Sequence, residues 1–189
     1  VGQVRDYTIR DVDQVTGVLT IDAVLHDHGP AGRWFASAVP GDRVGVVGPR
    51  GSHLYPPGYP HYVLIGDETA MPALGRWLDE PGLVAAITLI TVGETDDPYP
   101  FPEPAAAVVD HQHLVVPADR PRAELLAERL AAALDLHAEA FVFAAGEADA
   151  LRPVRRALRA ADHPRHAAHV DGYWRTGVAG LDHHINDDD

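Results

Sequence analysis

His61-Tyr-Val-Leu-Ile-Gly66-Asp67-Glu68-Thr69-Ala70 is the stretch on which the fold turns. From His61 to Ile65 there is no alternation of polar and apolar residues. A strand with one wet face alternates, so a short unbroken run marks a strand covered on both sides. Gly66-Asp67-Glu68 ends the run, and a helix is expected from Thr69 to Asp79. The pattern then repeats toward the C-terminus. Leu83 to Val92 is a longer unbroken run rich in Ile, Val and Thr, and Leu114 to Val116 reads as a third strand. The spacing of Leu126, Leu130 and Leu134 gives a helix over Arg122 to Leu134. Ala140 to Ala144 is a strand, Ala148 to Ala161 a helix, and His166 to Tyr173 a last strand before a frayed acidic tail. Pro98, Pro100, Pro102 and Pro104 make the stretch between the second and third strands a loop. Strands alternating with helices build a parallel sheet, so the fold class is α/β.

Toward the N-terminus the rhythm differs. Val4 to Val12 and Val18 to Leu25 alternate around the turn Asp13-Gln-Val-Thr-Gly17, as a hairpin does. A short helix is expected over Ala31 to Ala38 and a strand over Arg43 to Gly48. Pro56, Pro57, Gly58 and Pro60 are the densest cluster of chain breakers. They divide a β-rich module, residues 1–58, from an α/β module, residues 59–189.

Composition removes several classes of function. The chain has 189 residues, 46% of them apolar, which is enough for a core and too much for a disordered chain. Arg and Lys number 15 against 28 acids, a net charge of −13, and Lys is absent. A broad nucleic-acid footprint needs the opposite balance. Without Cys there are no disulfides, thiolate nucleophiles, iron–sulfur clusters or Cys-based zinc sites. No apolar run is long enough to span a membrane and no secretory signal opens the chain, so a cytoplasmic protein is expected.

In a parallel α/β sheet, ligands bind beyond the carboxyl ends of the strands. Gly66 to Ala70, Thr91 to Glu94 and Gly146-Glu147 stand there. The first leads from strand to helix and suits either an anion held by free amides or an ordinary helix cap. It matches neither the dinucleotide fingerprint nor a phosphate loop. Twelve His residues include the pairs His26 with His28, His111 with His113, and His183 with His184. No acid is spaced to complete a metal site with any of them, and they are read as surface residues. Arg152, Arg155, Arg156 and Arg159 form one helical stripe, either a solvated face or a clamp for a phosphate such as the 2′-phosphate of NADPH.

Several segments together carry a resemblance. Arg5-Asp-Tyr7-Thr8-Ile-Arg10, Asp22-Ala-Val-Leu-His26, Gly29-Pro30-Ala31-Gly-Arg-Trp34, Pro40-Gly41-Asp42 and Gly48-Pro49-Arg50-Gly51 resemble the flavin-binding half of the siderophore-interacting proteins. Gly66-Asp-Glu-Thr-Ala-Met-Pro72-Ala73, Ala145-Gly146-Glu147 and Gly172-Tyr-Trp-Arg-Thr-Gly177 resemble their second half. The resemblance implies a ferredoxin-reductase-type fold: an FAD-binding β-barrel, here partial because further strands would precede Arg5, and then a parallel-sheet NAD(P)-binding domain. It implies FAD-dependent reduction of ferric siderophores by NADPH or NADH, with release of Fe(II). Two alternatives stand beside it: a flavin reductase or electron-transfer protein with another acceptor, and a truncated ferric-chelate-binding protein without catalysis. By the same resemblance Arg5 grips the flavin pyrophosphate, Tyr7 stacks on the ring and Thr8 reaches N5. His26 lies near the nucleotide, and Gly29, Pro30 and Ala31 open the helix that faces the pyrophosphate. Gly66, Asp67, Glu68, Thr69, Ala70, Gly146, Glu147 and Arg156 are assigned to NAD(P)H, and Arg50 and Arg175 to the anionic siderophore. No resident metal is implied.

Overall fold

The computed structural model describes residues 4–26, 29–49, 51–52, 54–97, 99–104 and 106–179. Two short strands open it, β1 (Asp11–Asp13) and β2 (Val18–Thr20), paired antiparallel, and then a helix, α1 (Gly29–Ser37). The remaining elements are β3 (His61–Gly66), α2 (Met71–Leu78), β4 (Ala86–Gly93), β5 (Val108–Val115), α3 (Arg122–Leu136), β6 (Phe141–Glu147), α4 (Arg152–Ala160) and β7 (Ala168–Trp174). The last five strands form one parallel sheet in the order β5-β4-β3-β6-β7.

Every residue of β3 is buried, which is why its sequence does not alternate. Val63 and Ile65 enter a core with Leu126, Leu130 and Leu134 of α3 and Val154 and Leu158 of α4. Tyr62 and Leu64 enter the opposite core with Leu74, Trp77 and Leu78 of α2. Tyr55 and Tyr59 pack on this second core, and the Tyr62 hydroxyl donates to the Pro56 carbonyl at 2.8 Å. The chain runs outward from β3 to β4 and β5, then crosses through α3 to β6 on β3's other side. The strand order therefore reverses at β3, which puts the switch point at the carboxyl ends of β3 and β6.

Several expected elements shift, each for a physical reason. The third strand begins at Val108, not Leu114. It is the outer strand of the sheet, so Asp110 and His111 are exposed and the apolar signature fades. The helix expected from Thr69 begins at Met71, because residues 67–70 form a turn around the Asp67 side chain. The helix expected from Ala148 begins at Arg152, with a proline in its first turn where no amide is needed. The strands expected over 4–12 and 18–25 shrink to β1 and β2. No strand forms over 43–48, whose Val44, Val46 and Val47 are exposed; among the described residues no ladder neighbour lies beside them. Gly32 is the only buried residue described before His61.

Candidate functional site

Asp67 follows directly on β3, and its carboxylate sits at the switch point almost fully buried, at 1% exposure. Oδ1 accepts the Thr69 amide at 2.9 Å and the Thr69 hydroxyl at 2.6 Å. Oδ2 accepts the Glu147 amide at 2.8 Å and the Trp174 indole N–H at 3.1 Å, and an Arg122 nitrogen lies 3.5 Å away. The carboxylate thus draws together the ends of β3, β6 and β7. Gly146 makes room for it. Its φ is +146°, and a Cβ there would lie 2.7 Å from Asp67 Oδ2.

Glu147 is buried beside it. Its Oε2 accepts the Ala150 amide at 2.6 Å and its Oε1 the Thr176 amide at 3.1 Å. Glu68 turns the other way, doubly paired with Arg122 at 2.7 and 3.2 Å, and it accepts the Glu94 amide at 3.1 Å. Of the two readings of Gly66 to Ala70, this geometry is nearer the ordinary cap. The Thr69 amide is held by Asp67's side chain and the Ala70 amide by its carbonyl at 3.0 Å, with three carboxylates close by. A neutral or cationic ring suits this rim; a phosphate does not.

Next to Glu68, at the carboxyl ends of β4 and β5, an open cleft of about 550 Å³ is lined by Glu94, Val116, Asp119, Arg120 and Arg122. Arg120 is exposed and pairs with Glu128 at 2.7 Å.

On the N-terminal side, Tyr7 meets Phe35 of α1 edge-on at 5.2 Å, which brings the Arg5-to-Thr8 segment against that helix. Burial raises the Tyr7 phenol's pKa, with Arg5 opposing. Arg5 is exposed and donates to the Val4 carbonyl. α1 has no acid in its first turn. His26 packs so tightly on Gly32 that a Cβ there would come within 2.5 Å of its carbonyl oxygen. Thr8 lies beside Tyr173 of β7, whose phenol is pushed up to about 12, first by burial and then by Asp171, with Thr8 opposing. Residues 5–8 and the end of β7 are therefore neighbours.

The sequence profile of the siderophore-interacting proteins matches residues 59–177, and that of their FAD-binding domain matches residues 2–53. The chain belongs to the siderophore-interacting protein family. A siderophore utilization protein from T. fusca superimposes with a TM-score of 0.77 at 42% identity, covering 95% of this chain and 69% of that one. A ferric acinetobactin reductase of Acinetobacter baumannii is 30% identical over 93% of this chain and 62% of its own. An uncharacterised protein of Mycobacterium bovis is 34% identical over 92% of this chain, which spans 65% of that relative's length.

Within this siderophore-interacting fold, the structure brings Gly66 to Ala70 together with Gly146 and Glu147, and Tyr7 with α1. Arg156 is exposed on α4, and the described contacts do not join it to the switch point. Arg175 lies near the site, 3.4 Å from Asp149, a carboxylate it shares with Arg152 at 3.3 Å. Arg50 lies outside the described residues. Residue reading gave no role to Trp174 or Arg122. Trp174 stands in the quoted Gly-Tyr-Trp-Arg segment, but no spacing rule joins it to Asp67, 107 residues earlier. Among the described residues no group of three or more His, Asp or Glu is placed to hold a metal ion, and no helix is long and apolar enough to cross a membrane.

Proposed function

We propose that the chain carries the flavin and nicotinamide sites of an NAD(P)H-dependent ferric-siderophore reductase. The observation that supports this reading is the nearness of Thr8 to Tyr173, with residues 5–8 beside a strand that ends at the switch point. Electron transfer between two ring systems needs that closeness. FAD, when bound, supplies the conversion of a two-electron hydride into one-electron steps. The balance is NAD(P)H and two Fe(III) giving NAD(P)⁺, a proton and two Fe(II).

The residues fit these groups. Exposed Arg5 and the acid-free first turn of α1, at Gly29, Pro30 and Ala31, suit a pyrophosphate. The Tyr7 ring is 38% exposed and offers a face for stacking, with Thr8 one residue on and His26 behind α1 at Gly32. The acidic rim of Asp67, Glu68 and Glu147, with Thr69 and Ala70, suits the uncharged or cationic nicotinamide rather than its phosphates. For a 2′-phosphate the candidate partners are Arg156 on α4 and Arg120 in the open cleft. Arg50 and Arg175 are assigned to the anionic ferric siderophore, which must approach a chain of charge −13.

The test is anaerobic. The FAD-loaded chain is mixed with NADPH, and bleaching of the flavin is followed before a ferric catecholate and an Fe(II) trap are added. Bleaching, recolouring on the chelate and two Fe(II) per nicotinamide are expected. A chain that takes up no flavin overturns the reading. Bleaching with no Fe(II) leaves a flavin reductase with another acceptor.

A further inference from the structure

Asp67 belongs to the acidic rim just assigned to the nicotinamide, and its carboxylate is engaged on both sides. Oδ1 holds the turn after β3 through Thr69, and Oδ2 reaches across the sheet to the Glu147 amide and the Trp174 indole. A carboxylate has about four lone-pair sites, and four donors fill them here. We propose that Asp67 is a positioning residue that fixes Trp174 as a wall of the nicotinamide end of the site. The proposal rests on the nicotinamide reading above.

Three observations carry it. First, the backbone around Trp174 is already set, since its carbonyl accepts the Ala148 amide at 2.8 Å and Trp174 pairs with Glu147 across the irregular end of the β6–β7 ladder. Only the direction of the indole is left to be decided. Second, Trp174 is 38% exposed, so packing covers it only in part, and the Asp67 bond adds a directional constraint. Third, the space for the carboxylate is built in. Gly146 leaves open the volume that a Cβ would take 2.7 Å from Oδ2. A shorter acceptor would not span from the turn after β3 to β7. An amide in place of the carboxylate has a single acceptor oxygen, so its NH₂ meets N–H donors on one side or the other, those of Glu147 and Trp174 or that of Thr69. The ring of a ligand at the switch point would then meet an aromatic wall whose angle is set from the far side by a buried charge.

Asp67→Asn and Trp174→Phe test this in the full 189-residue chain. The chain has three Trp residues, so an ¹⁵N spectrum shows three indole resonances, and Trp174→Phe assigns one of them. In Asp67→Asn the Trp174 indole proton is expected to shift and lose protection from solvent, while those of Trp34 and Trp77 stay. For flavin reduction by NADPH, KM is expected to rise about tenfold in each variant with kcat nearly unchanged. The double variant should be no worse than Trp174→Phe alone, because Asp67 acts through that ring. An unmoved Trp174 resonance in Asp67→Asn, or additive effects in the double variant, overturns the assignment. If Asp67→Asn fails to fold, Trp174→Phe decides, and an unchanged KM there overturns it. Failure of wild type to respond to NADPH at all overturns the nicotinamide reading, and the role of Trp174 falls with it; the indole shift separates that failure from an error about Asp67.

Discussion

At Gly146 the backbone and a neighbouring side chain make the same demand. The φ of +146° disfavours any side chain, and the Cβ position is taken by the Asp67 carboxylate. Gly17 is the natural control: its φ is +72°, and nothing lies within 4 Å of a Cβ built there. Gly17→Ala is expected to cost about 1 kcal/mol, the strain of the left-handed backbone alone. Gly146→Ala should cost at least 1 kcal/mol more and disturb the Trp174 indole as well. Urea unfolding of both variants measures the difference, and equal losses would mean that Asp67 moves aside without penalty. Arg5→Ala asks about the other half of the site. An exposed guanidinium gripping a pyrophosphate contributes little to the fold, so flavin occupancy after dialysis should fall while the melting temperature holds. Wild-type occupancy in that variant would remove Arg5 from the flavin site. The residues that matter here were largely legible as positions, since Gly66 to Ala70 and Gly146-Glu147 follow from the rule of strand ends. Their roles were not legible. Spacing does not show that Asp67 accepts bonds from residues 80 and 107 positions away.

At the scale of elements, β5 shows how a sheet edge conceals itself. Asp110-His-Gln-His113 reads as polar loop, yet it pairs along its length with β4. His111 and His113 share a face, and what they hold is the buried Thr91 hydroxyl, 2.9 Å from each ring. His113 Nε2 faces the Thr95 carbonyl at 2.8 Å and so donates to it. In the neutral ring Nδ1 then accepts from Thr91, and His111 Nε2–H donates to the Thr91 oxygen. The Thr91 bond to His113 needs a bare Nδ1 there, whereas His111 keeps its donor in either charge state. Burial and the nearness of His113 lower the His111 pKa, with Asp110 opposing. At the other end of the sheet His61 stacks on His137 at 3.6 Å and is lowered in the same way, by burial and then by His137. With folded values below the unfolded one, the unfolded chain binds more protons through this window. Stability should therefore rise with pH from about 5.5 to 7.5 and be lost on acidification. A His61→Gln, His111→Gln double variant should show a flatter profile in denaturant titrations across that range. An unchanged slope would mean that both rings titrate freely in the fold. The long strands with two covered faces were legible because both cores need apolar residues. The short helix α1 was legible from its flanking Gly-Pro pairs. The edge was not, because exposure permits polar side chains, and the N-terminal strands were overread because alternation occurs without a ladder.

Over the whole molecule, charge and connectivity set the terms for any cofactor. The N-terminal residues reach the α/β core at several points: Tyr99 donates to Asp22, itself paired with Arg10 at 2.8 Å; Thr8 meets Tyr173; Tyr55 and Tyr59 pack near Tyr62. The electrostatic field is harder to read from sequence, because a total of −13 says nothing about where the arginines gather. A 2′-phosphate brings about two further negative charges into that field, so a preference for NADPH over NADH must come from a local cation. Arg122 is already doubly engaged with Glu68, and Arg152 faces Asp149. The two candidates named above are Arg156 on the outer face of α4 and Arg120 in the cleft beside Glu68. The cleft adjoins the switch point, whereas Arg156 lies a full helical turn beyond Arg152, on a face turned to solvent. Arg120 would have to leave Glu128, but that pair is exposed, and a doubly charged phosphate competes well with one carboxylate. Rates of flavin reduction with both cofactors decide the matter. Arg120→Ala is expected to lower the NADPH preference several-fold, and Arg156→Ala to leave it unchanged. Because both side chains are exposed, the preference should also shrink as salt is added. The reverse pattern would return the phosphate to the basic face of α4, and equal rates with NADH and NADPH in wild type would leave both arginines to the solvent.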